Sequence, residues 1–170
     1  MLTPHDVDLF LDDYYATHTT VHEYQARKND HRVLLTCVQE CSASVILEIG
    51  TFQGYTANLL YSFPSVTRVL TVDILDRPGE LLPGVEYVDN MAFVPTDVDL
   101  VFIDDGHTYE DVVRDYGIAL QCHPRCIVFH DADIVAIHTF LRELECSGHH
   151  IQWTEGDCLL AYERFDQADN

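Results

Sequence analysis

The sequence predicts an α/β fold in which a mostly parallel sheet, with an antiparallel edge strand, carries helices on both faces. Short apolar, β-branched runs alternate with amphipathic segments, as they do where parallel strands are joined by helices. Residues 45–60 read as a buried strand, a turn with two glycines and the start of a helix. Two final strands have no helix between them, which favours an antiparallel pair. Together these observations indicate a doubly wound, Rossmann-like architecture.

The individual elements follow from the local pattern. Residues 5–41 have apolar positions at helical spacing, so we expect two helices there, separated near Lys28-Asn29-Asp30. A further helix runs from the glycine turn to about Phe63. Strands are predicted at 45–49, 66–73, 85–88, 99–103, 126–129, 151–154 and 158–162, the last two joined around Gly156-Asp157, and helices at 109–120 and 134–146.

The length of 170 residues suits a single domain, predicted to span residues 1–170. Its core is expected at residues 44–165. Residues 1–43 are expected to form a helical lid over that core, because the rest of the chain has no insertion that could roof a pocket.

The composition restricts the partners. The chain has 29 acidic and 9 basic residues and a formal charge of −20. A surface of this sign repels nucleic-acid phosphate and anionic lipid, so we expect no nucleic acid and no membrane as a partner. No apolar run approaches the roughly 18 residues of a membrane span. The N-terminus lacks a secretory pattern, which predicts a cytoplasmic protein. A small-molecule partner is expected, and the sequence leaves room for a homo-oligomer.

Six cysteines are present, without paired Cys-x-x-Cys knuckles, so a structural zinc site is poorly supported. In a cytoplasm the thiols are expected to be reduced. None stands in a recognisable activating context, so we expect them to belong to the core and not to act as nucleophiles. They are Cys37, Cys41, Cys122, Cys126, Cys146 and Cys158.

Acidic residues follow three of the predicted strands. Asp73 ends the second strand, Asp104-Asp105 follow the fourth, and Asp131 follows the fifth. The carboxyl ends of parallel strands meet at one edge of the sheet, where open α/β sheets bind their ligands. A single acid at a strand end is often a helix cap. Three of them beside a glycine turn predict a binding site.

The turn between the first strand and its helix narrows the choice of ligand. A dinucleotide site needs G-x-G-x-x-G, and Phe52 stands where the middle glycine should be. A Walker A loop needs a lysine, which this turn lacks. The turn therefore favours a cofactor without phosphates. Glu48 can accept from an ammonium group, and Asp73 can accept from ribose hydroxyls.

These residues resemble a known family. The segment Glu-Ile-Gly-Thr-Phe-Gln-Gly-Tyr-Thr at 48–56 is similar to the first motif of class I S-adenosylmethionine-dependent methyltransferases, in the form found in the catechol O-methyltransferase branch. Val-Leu-Thr-Val-Asp at 69–73 resembles the second motif. Residues 99–112, with Ile-Val-Phe-His-Asp at 127–131, resemble bacterial members typed as methyltransferase family 24. The resemblance covers about residues 44 to 135.

The resemblance implies S-adenosylmethionine as cofactor and methylation of an oxygen of a small molecule. It implies that the turn lines the methionine end of the cofactor, that Asp73 holds the ribose, that Asn90 lies near the adenine, and that Asp104 lies near the sulfonium or a metal. The cofactor-binding residues expected in this way are Glu48, Gly50, Thr51, Phe52, Gly54, Tyr55, Asp73, Asn90 and Asp104.

The same branch holds a divalent ion such as magnesium between an acid after strand four and an Asp-Asn pair after strand five. The matching positions here are Asp104, Asp131 and Ala132. Two aspartates suit a hard cation, but Ala132 cannot ligate. The third ligand is expected from His107, His130, Asp105 or Asp133. A histidine ligand shifts the preference to manganese, iron or zinc.

The branch places a catalytic lysine three residues after the first acid, and His107 holds that position here. A histidine can act as the general base, so His107 and Asp104 are the expected catalytic residues. His107 could instead cap the helix that starts near Thr108. His130 is expected to point away from the site and orient Asp131.

Two other interpretations stay open at the level of sequence. The short chain, with a trimmed segment after strand two, also suits a non-catalytic binding or assembly module that keeps the fold. Relatives of this scaffold also include proteins named as hydroxylases, and the fold alone does not separate these activities.

Overall fold

The computed structural model describes residues 4–18, 28–73, 79–88, 95–155 and 158–165. Within these residues the helices are α1 (Pro4–Thr17), α2 (Lys28–Glu40), α3 (Tyr55–Ser62), α4 (Tyr109–Gln121) and α5 (Val135–Cys146). The strands are β1 (Val45–Ile49), β2 (Arg68–Val72), β3 (Val85–Val88), β4 (Leu100–Ile103), β5 (Cys126–Phe129), β6 (Ile151–Trp153) and β7 (Ala161–Arg164).

The strands form one seven-stranded sheet with the order β3-β2-β1-β4-β5-β7-β6. The first five run parallel, and β7 runs antiparallel to both β5 and the edge strand β6. The predicted mostly parallel sheet with an antiparallel pair at its end is thereby confirmed. The strand order changes direction between β1 and β4, and α/β sheets bind ligands at such a switch point.

The register fixes which residues meet at the carboxyl edge of the sheet. Ile49 of β1 pairs with Val72 of β2 and with Ile103 of β4, and Ile103 pairs with Phe129 of β5. The residues that follow these strand ends therefore lie side by side along the edge. They are Gly50, Asp73, Asp104 and His130.

Helices cover both faces of the sheet. On one face the buried side chains of α1, α2 and α3 pack with Ile46, Val69 and Phe102. On the other face those of α4 and α5 pack with Leu47, Val101 and Ile127. Neighbouring strand residues point to opposite faces, so the central strands β4 and β5, which are covered on both faces, are apolar throughout their length.

The predicted break at Lys28-Asn29-Asp30 is wrong, because these residues form the first turn of α2. Asp30 is buried there, and its Oδ1 accepts a hydrogen bond of 2.7 Å from the Leu159 amide. An acid in the first turn of a helix is also stabilised by the helix dipole. A contact between distant segments therefore stabilises the helical conformation of residues whose composition predicts a helix break.

Four strands differ from their predicted bounds, one of them being β6, which ends at Trp153 and not at residue 154. Val66 lies before β2, because its amide bonds to Phe63 O in the turn that closes α3. Asp99 lies before β4, and its carboxylate accepts from the Ser44 amide, the Ser44 hydroxyl and the Val45 amide. The last strand is Ala161–Arg164 and not 158–162. The predicted turn at residues 156–157 lies outside the described residues. None of the described helices is long and apolar enough to cross a membrane.

Candidate functional site

The turn after β1 is held tightly against the end of β4. Gly50 has φ +107° and donates its amide to Val72 O at 2.7 Å. A Cβ built on Gly50 would lie 2.2 Å from the carbonyl oxygen of Asp104. No side chain fits at that distance, and L residues rarely adopt this φ. Glycine at this position lets the turn reach the neighbouring strand end.

The second glycine of the turn opens α3. Gly54 has φ +78°, occupies the N-cap position and donates its amide to Thr51 O at 2.7 Å. The helix has no side-chain cap at this end. The first amides of a helix carry partial positive charge, which favours an anionic group. The turn thus presents a helix N-terminus at the carboxyl edge of the sheet.

Asp73 lies beside this turn, as predicted from its place after β2. Its Oδ2 accepts a hydrogen bond of 2.6 Å from the Phe52 amide. Phe52 has φ +44°, in the left-handed region, and about half of its surface is exposed. The bond fixes the Asp73 carboxylate next to the turn, while the Phe52 side chain stays partly exposed to solvent.

Glu48 lies beneath the turn with only 1% of its surface exposed. Thr71 donates to its Oε2, and Thr71 Oγ1 lies 2.7 Å from Thr51 Oγ1. Burial, and to a lesser extent the charges of Asp104 and Asp73, raise the pKa of Glu48 to about 8 against the opposing Thr71 bond. The carboxyl group is therefore neutral near pH 7. A direct bond from Glu48 to a cofactor ammonium stays a prediction.

Asp104, His130 and Asp131 converge after β4 and β5. His130 Nδ1 lies 2.9 Å from Asp104 Oδ1 and 3.3 Å from Asp131 Oδ1. Among the described residues, only these three bring three ligand atoms within 4.8 Å of one another. The structure thus brings together the two predicted metal aspartates and one of the two candidate histidines.

His130 is largely buried in this cluster, with 10% of its side chain exposed. The close approaches to carboxylates are ion pairs by distance, since neither ring nitrogen has an aligned hydrogen-bond partner among the described residues. Burial lowers the pKa of the ring, but Asp104, Asp131 and Asp30 outweigh it and raise the pKa to about 12. The expectation that His130 points away from the site is therefore wrong, because its side chain lies between the two aspartates. At this pKa the ring is protonated near pH 7, so it would ligate a metal only after losing a proton.

His107 faces the same cluster from the start of α4. Its Nε2 lies 2.8 Å from Asp131 Oδ2, and 57% of its side chain is exposed. The alternative that His107 caps α4 is wrong, because Thr108 is the cap and accepts from the Asp111 amide. Asp131 therefore holds an accessible imidazole at the carboxyl edge of the sheet.

Asp105 and Asp133, the remaining two candidate ligands, do not belong to this cluster. Asp105 pairs with Arg114 at 3.2 Å, and burial raises the pKa of its carboxyl group. Ala132 is buried and donates its amide to Leu159 O at 2.9 Å. Asp133 belongs to no described group of three converging ligand atoms. Asn90, expected near an adenine, lies outside the described residues.

Sequence reasoning expected residues 1–43 to form a lid, but it missed that Asp30 and His31 of α2 lie next to the site. Asp30 Oδ2 lies 3.7 Å from His130 Nε2, and His31 is buried with Nδ1 2.5 Å from the Tyr15 hydroxyl. Burial lowers the pKa of His31 to about 4, so its ring is neutral. The burial of Asp30 and His31 could have been predicted from helical spacing, because they lie four residues before Leu34 and Leu35 on the same buried face of α2.

A cavity of about 520 Å³ lies between these helices and the glycine turn. Tyr14 and Tyr15 of α1 and His18, the residue after it, form one wall, and the Tyr14 and His18 rings stack 4.1 Å apart. His31 and Tyr55 also line it, as do residues 79–83. The His31 Nε2 atom is buried and has no hydrogen-bond partner among the described residues. The cavity therefore has an aromatic wall on the side of α1 and a mixed lining elsewhere.

Comparison with known proteins shows what this architecture resembles. No protein-family model matches the sequence, and no curated protein matches it either. Among solved structures, cofactor-bound Rv0187 from MTB is 21% identical with a TM-score of 0.69, covering 96% of this chain and 98% of that one.

Two further solved structures carry the name of an activity. An O-methyltransferase from Bacillus cereus in complex with SAH is 16% identical with a TM-score of 0.62, covering 97% of this chain and 93% of that one. The O-methyltransferase TomG from Streptomyces achromogenes, in complex with SAM, is 16% identical with a TM-score of 0.62, over 93% and 88% of the two chains. Likeness over nearly the whole chain establishes that this protein has the Rossmann-like fold of class I methyltransferases.

Proposed function

We propose that this protein is an S-adenosylmethionine-dependent methyltransferase that methylates an oxygen of a small molecule in the cytoplasm. The observation that carries the proposal is the juxtaposition of two features at one sheet edge. A glycine turn with Asp73 beside it suits the cofactor, and the adjoining Asp104, His107, His130 and Asp131 suit deprotonation of an acceptor. The solved structures of the same fold that hold SAM or SAH support this assignment.

The cofactor is proposed to lie across the turn. Asp73 is placed to accept from the ribose hydroxyls, as the equivalent acid does in other sites at this edge. The uncapped N-terminus of α3 favours the methionine carboxylate through its amides and its dipole. The turn lacks the lysine of a Walker A loop, and Phe52 replaces the middle glycine of a dinucleotide site, so neither class of phosphate-bearing cofactor is favoured.

His107 is proposed as the general base. Because Asp131 Oδ2 lies at Nε2, the neutral ring carries its proton on that nitrogen and keeps the lone pair on Nδ1. The exposed ring can then accept the hydroxyl proton of an acceptor through Nδ1. Methyl transfer also needs alignment of oxygen, methyl carbon and sulfur, and exclusion of water.

The Asp104, His130 and Asp131 donors fit a divalent ion. The fit rests on their convergence and on the buried His130 ring nitrogens, which have no aligned partner among the described residues. This mixed nitrogen and oxygen set suits manganese, iron or zinc better than magnesium. When bound, such an ion would lower the pKa of an acceptor hydroxyl and orient it.

The cavity between α1, α2 and the turn is proposed as the acceptor chamber, with residues 1–43 as its lid. The tyrosine side chains of its lining favour an apolar body. The net charge of −20 disfavours a strongly anionic acceptor, a nucleic acid or a membrane surface.

The proposal is tested by incubating the protein with S-adenosylmethionine, added divalent metal and a panel of hydroxylated small molecules, while S-adenosylhomocysteine is measured by mass spectrometry. We expect acceptor-dependent product with the wild type. His107→Ala should lower kcat about 100-fold or more, the usual contribution of a general base, and leave cofactor affinity unchanged.

His150→Ala is the matched control, because His150 is exposed on the segment before β6. It should behave as the wild type. Equal losses in the two variants would show that His107 has no specific role. Product formation that no acceptor increases would contradict methyl transfer to a small molecule.

A further inference from the structure

The segment that joins β4 to α4 carries two residues of the candidate site. Asp104 is its first residue, and His107 lies near its end, just before the cap of α4. We call residues 104–108 the base segment. The side chain of Arg114, in the second turn of α4, pairs with three carboxylates, and two of them connect it to this segment.

The guanidinium group of Arg114 is fixed in place by the third carboxylate. Its Nε donates to Asp115 Oδ1 at 2.8 Å, and its Nη2 donates to Asp115 Oδ2 at 3.2 Å. Asp115 is fully buried. An arginine that bonds both oxygens of one carboxylate has a defined orientation, because its fork of donors is planar and rigid. Asp115 therefore orients the guanidinium group, although 40% of the Arg114 side chain is exposed.

The remaining contacts of Arg114 reach both ends of the base segment. Nη2 donates to Asp105 Oδ2 at 3.2 Å, and Nη1 donates to Asp111 Oδ1 at 3.0 Å. The other oxygen of Asp111 accepts a hydrogen bond of 2.6 Å from the Thr108 hydroxyl, and Thr108 is the cap of α4. Arg114 is thus bound directly to the start of the base segment and, through Asp111, to its end.

The middle of the base segment packs against the same carboxylate. A Cβ built on Gly106 would lie 2.5 Å from Asp111 Oδ2, so the backbone there touches the group that Arg114 holds. His107 follows directly, and its Nε2 lies 2.8 Å from Asp131 Oδ2. The position of the His107 ring relative to Asp131 therefore depends on a backbone that Arg114 fixes on both sides.

We propose that Arg114 is a positioning residue for methyl transfer, and that it acts by holding His107 at Asp131. This role rests on the proposed function of His107 as general base. Arg114 itself contacts neither cofactor nor acceptor in this scheme. A general base must lie within hydrogen-bond reach of the proton that it removes. A displacement of about 1 Å in such a group can slow a reaction on the order of 100-fold.

The geometry requires an arginine and not merely a positive charge. A lysine would keep a charge beside the buried Asp115, but a single ammonium group has no planar fork with which to join three carboxylates. Arg114→Lys therefore separates positioning of the base segment from neutralisation of acids. Arg114→Ala does not separate them, because it also leaves the buried Asp115 without this partner.

The experiment compares the wild type with Arg114→Lys, His107→Ala and the double variant. Acceptor-dependent kcat and KM are measured with S-adenosylmethionine, cofactor affinity by calorimetry, and stability by urea unfolding. Arg142→Lys is the matched control, because Arg142 is exposed on α5 and its ion pair with Glu145 lies within that helix.

Arg114→Lys should lower kcat about tenfold or more and leave cofactor affinity unchanged. In the His107→Ala background the same change should lower kcat by less than about twofold, because both changes act through one group. Arg142→Lys should behave as the wild type. Wild-type kcat in folded Arg114→Lys, or an undiminished loss in the double variant, would overturn the proposal. Full kcat in His107→Ala would instead refute the general base, and the role of Arg114 with it.

A crystal structure of Arg114→Lys tests the same role without any acceptor. The distance from His107 Nε2 to Asp131 Oδ2 should rise from 2.8 Å to beyond about 3.5 Å, outside hydrogen-bond range. The contact should persist in Arg142→Lys. An unchanged contact in Arg114→Lys would overturn the positioning role while leaving the proposed methyltransferase activity untouched.

Discussion

The buried carboxyl group beneath the glycine turn leads to a prediction about stability and pH. Glu48 is fully buried, and burial raises its pKa to about 8 from an ordinary value of 4.5. Glu48→Gln keeps the shape of the side chain and an oxygen that can accept from Thr71, but it removes the ionisation. We expect the variant to be more stable than the wild type at neutral and alkaline pH.

The sign follows from the two protonation states. Between about pH 4.5 and about pH 8 the native carboxyl group is protonated while the unfolded one is ionised, so the native state binds more protons. The free energy of unfolding of the wild type therefore falls as pH rises through this window. One pKa unit corresponds to about 1.4 kcal/mol. The shift of Glu48 from 4.5 to about 8 therefore lowers the free energy of unfolding by at most about 5 kcal/mol when the pH reaches about 8.

The assay is urea unfolding of both proteins across that pH window, with Glu155→Gln as control for an exposed acid. The difference in unfolding free energy between Glu48→Gln and the wild type should be smallest at the acidic end. It should grow in favour of the variant up to about pH 8 and then stay constant. A difference that does not change with pH would refute the assignment of a neutral Glu48 under the turn.

Three further changes test other parts of the structure by urea unfolding. Gly50→Ala forces a side chain into the left-handed region against the Asp104 carbonyl, so it should lose at least about 1–3 kcal/mol; a neutral effect would contradict this packing. Thr108→Ala removes the N-cap of α4 and should cost about 1 kcal/mol, whereas no loss would contradict the cap. Burial alone would raise the pKa of Asp99, but its bonds from Ser44 and Val45, with Arg125, hold it below the ordinary value. Asp99→Asn should therefore lose about 2 kcal/mol at neutral pH, and the loss should shrink as the pH falls below about 3.8, the ordinary value; an equal loss at all pH values would contradict a carboxylate there.

The strands and their carboxyl edge could be predicted from sequence because local patterns determine them. Continuous apolar runs such as Cys126–Phe129 are typical of strands buried on both faces. Parallel pairing then places Asp73, Asp104 and Asp131 along one edge without further information. The glycine turn could be predicted for the same reason, because the glycines that its backbone conformation requires lie within a few residues of one another.

The features that were missed depend on contacts between distant segments. The buried position of Asp30 comes from Leu159 and His130, which lie far along the chain. The left-handed backbone of Asp131, φ +51°, is likewise a feature that no local pattern indicates.

The central claim is that the turn beside Asp73 binds S-adenosylmethionine, and isothermal titration calorimetry of this cofactor tests it most directly. The account predicts saturable binding of one cofactor per chain. Binding should be lost in Asp73→Ala and unchanged in Asp97→Ala, an exposed acid on the segment before β4. Absence of binding heat for the folded wild type at high protein concentration, or unchanged affinity in Asp73→Ala, would contradict the account.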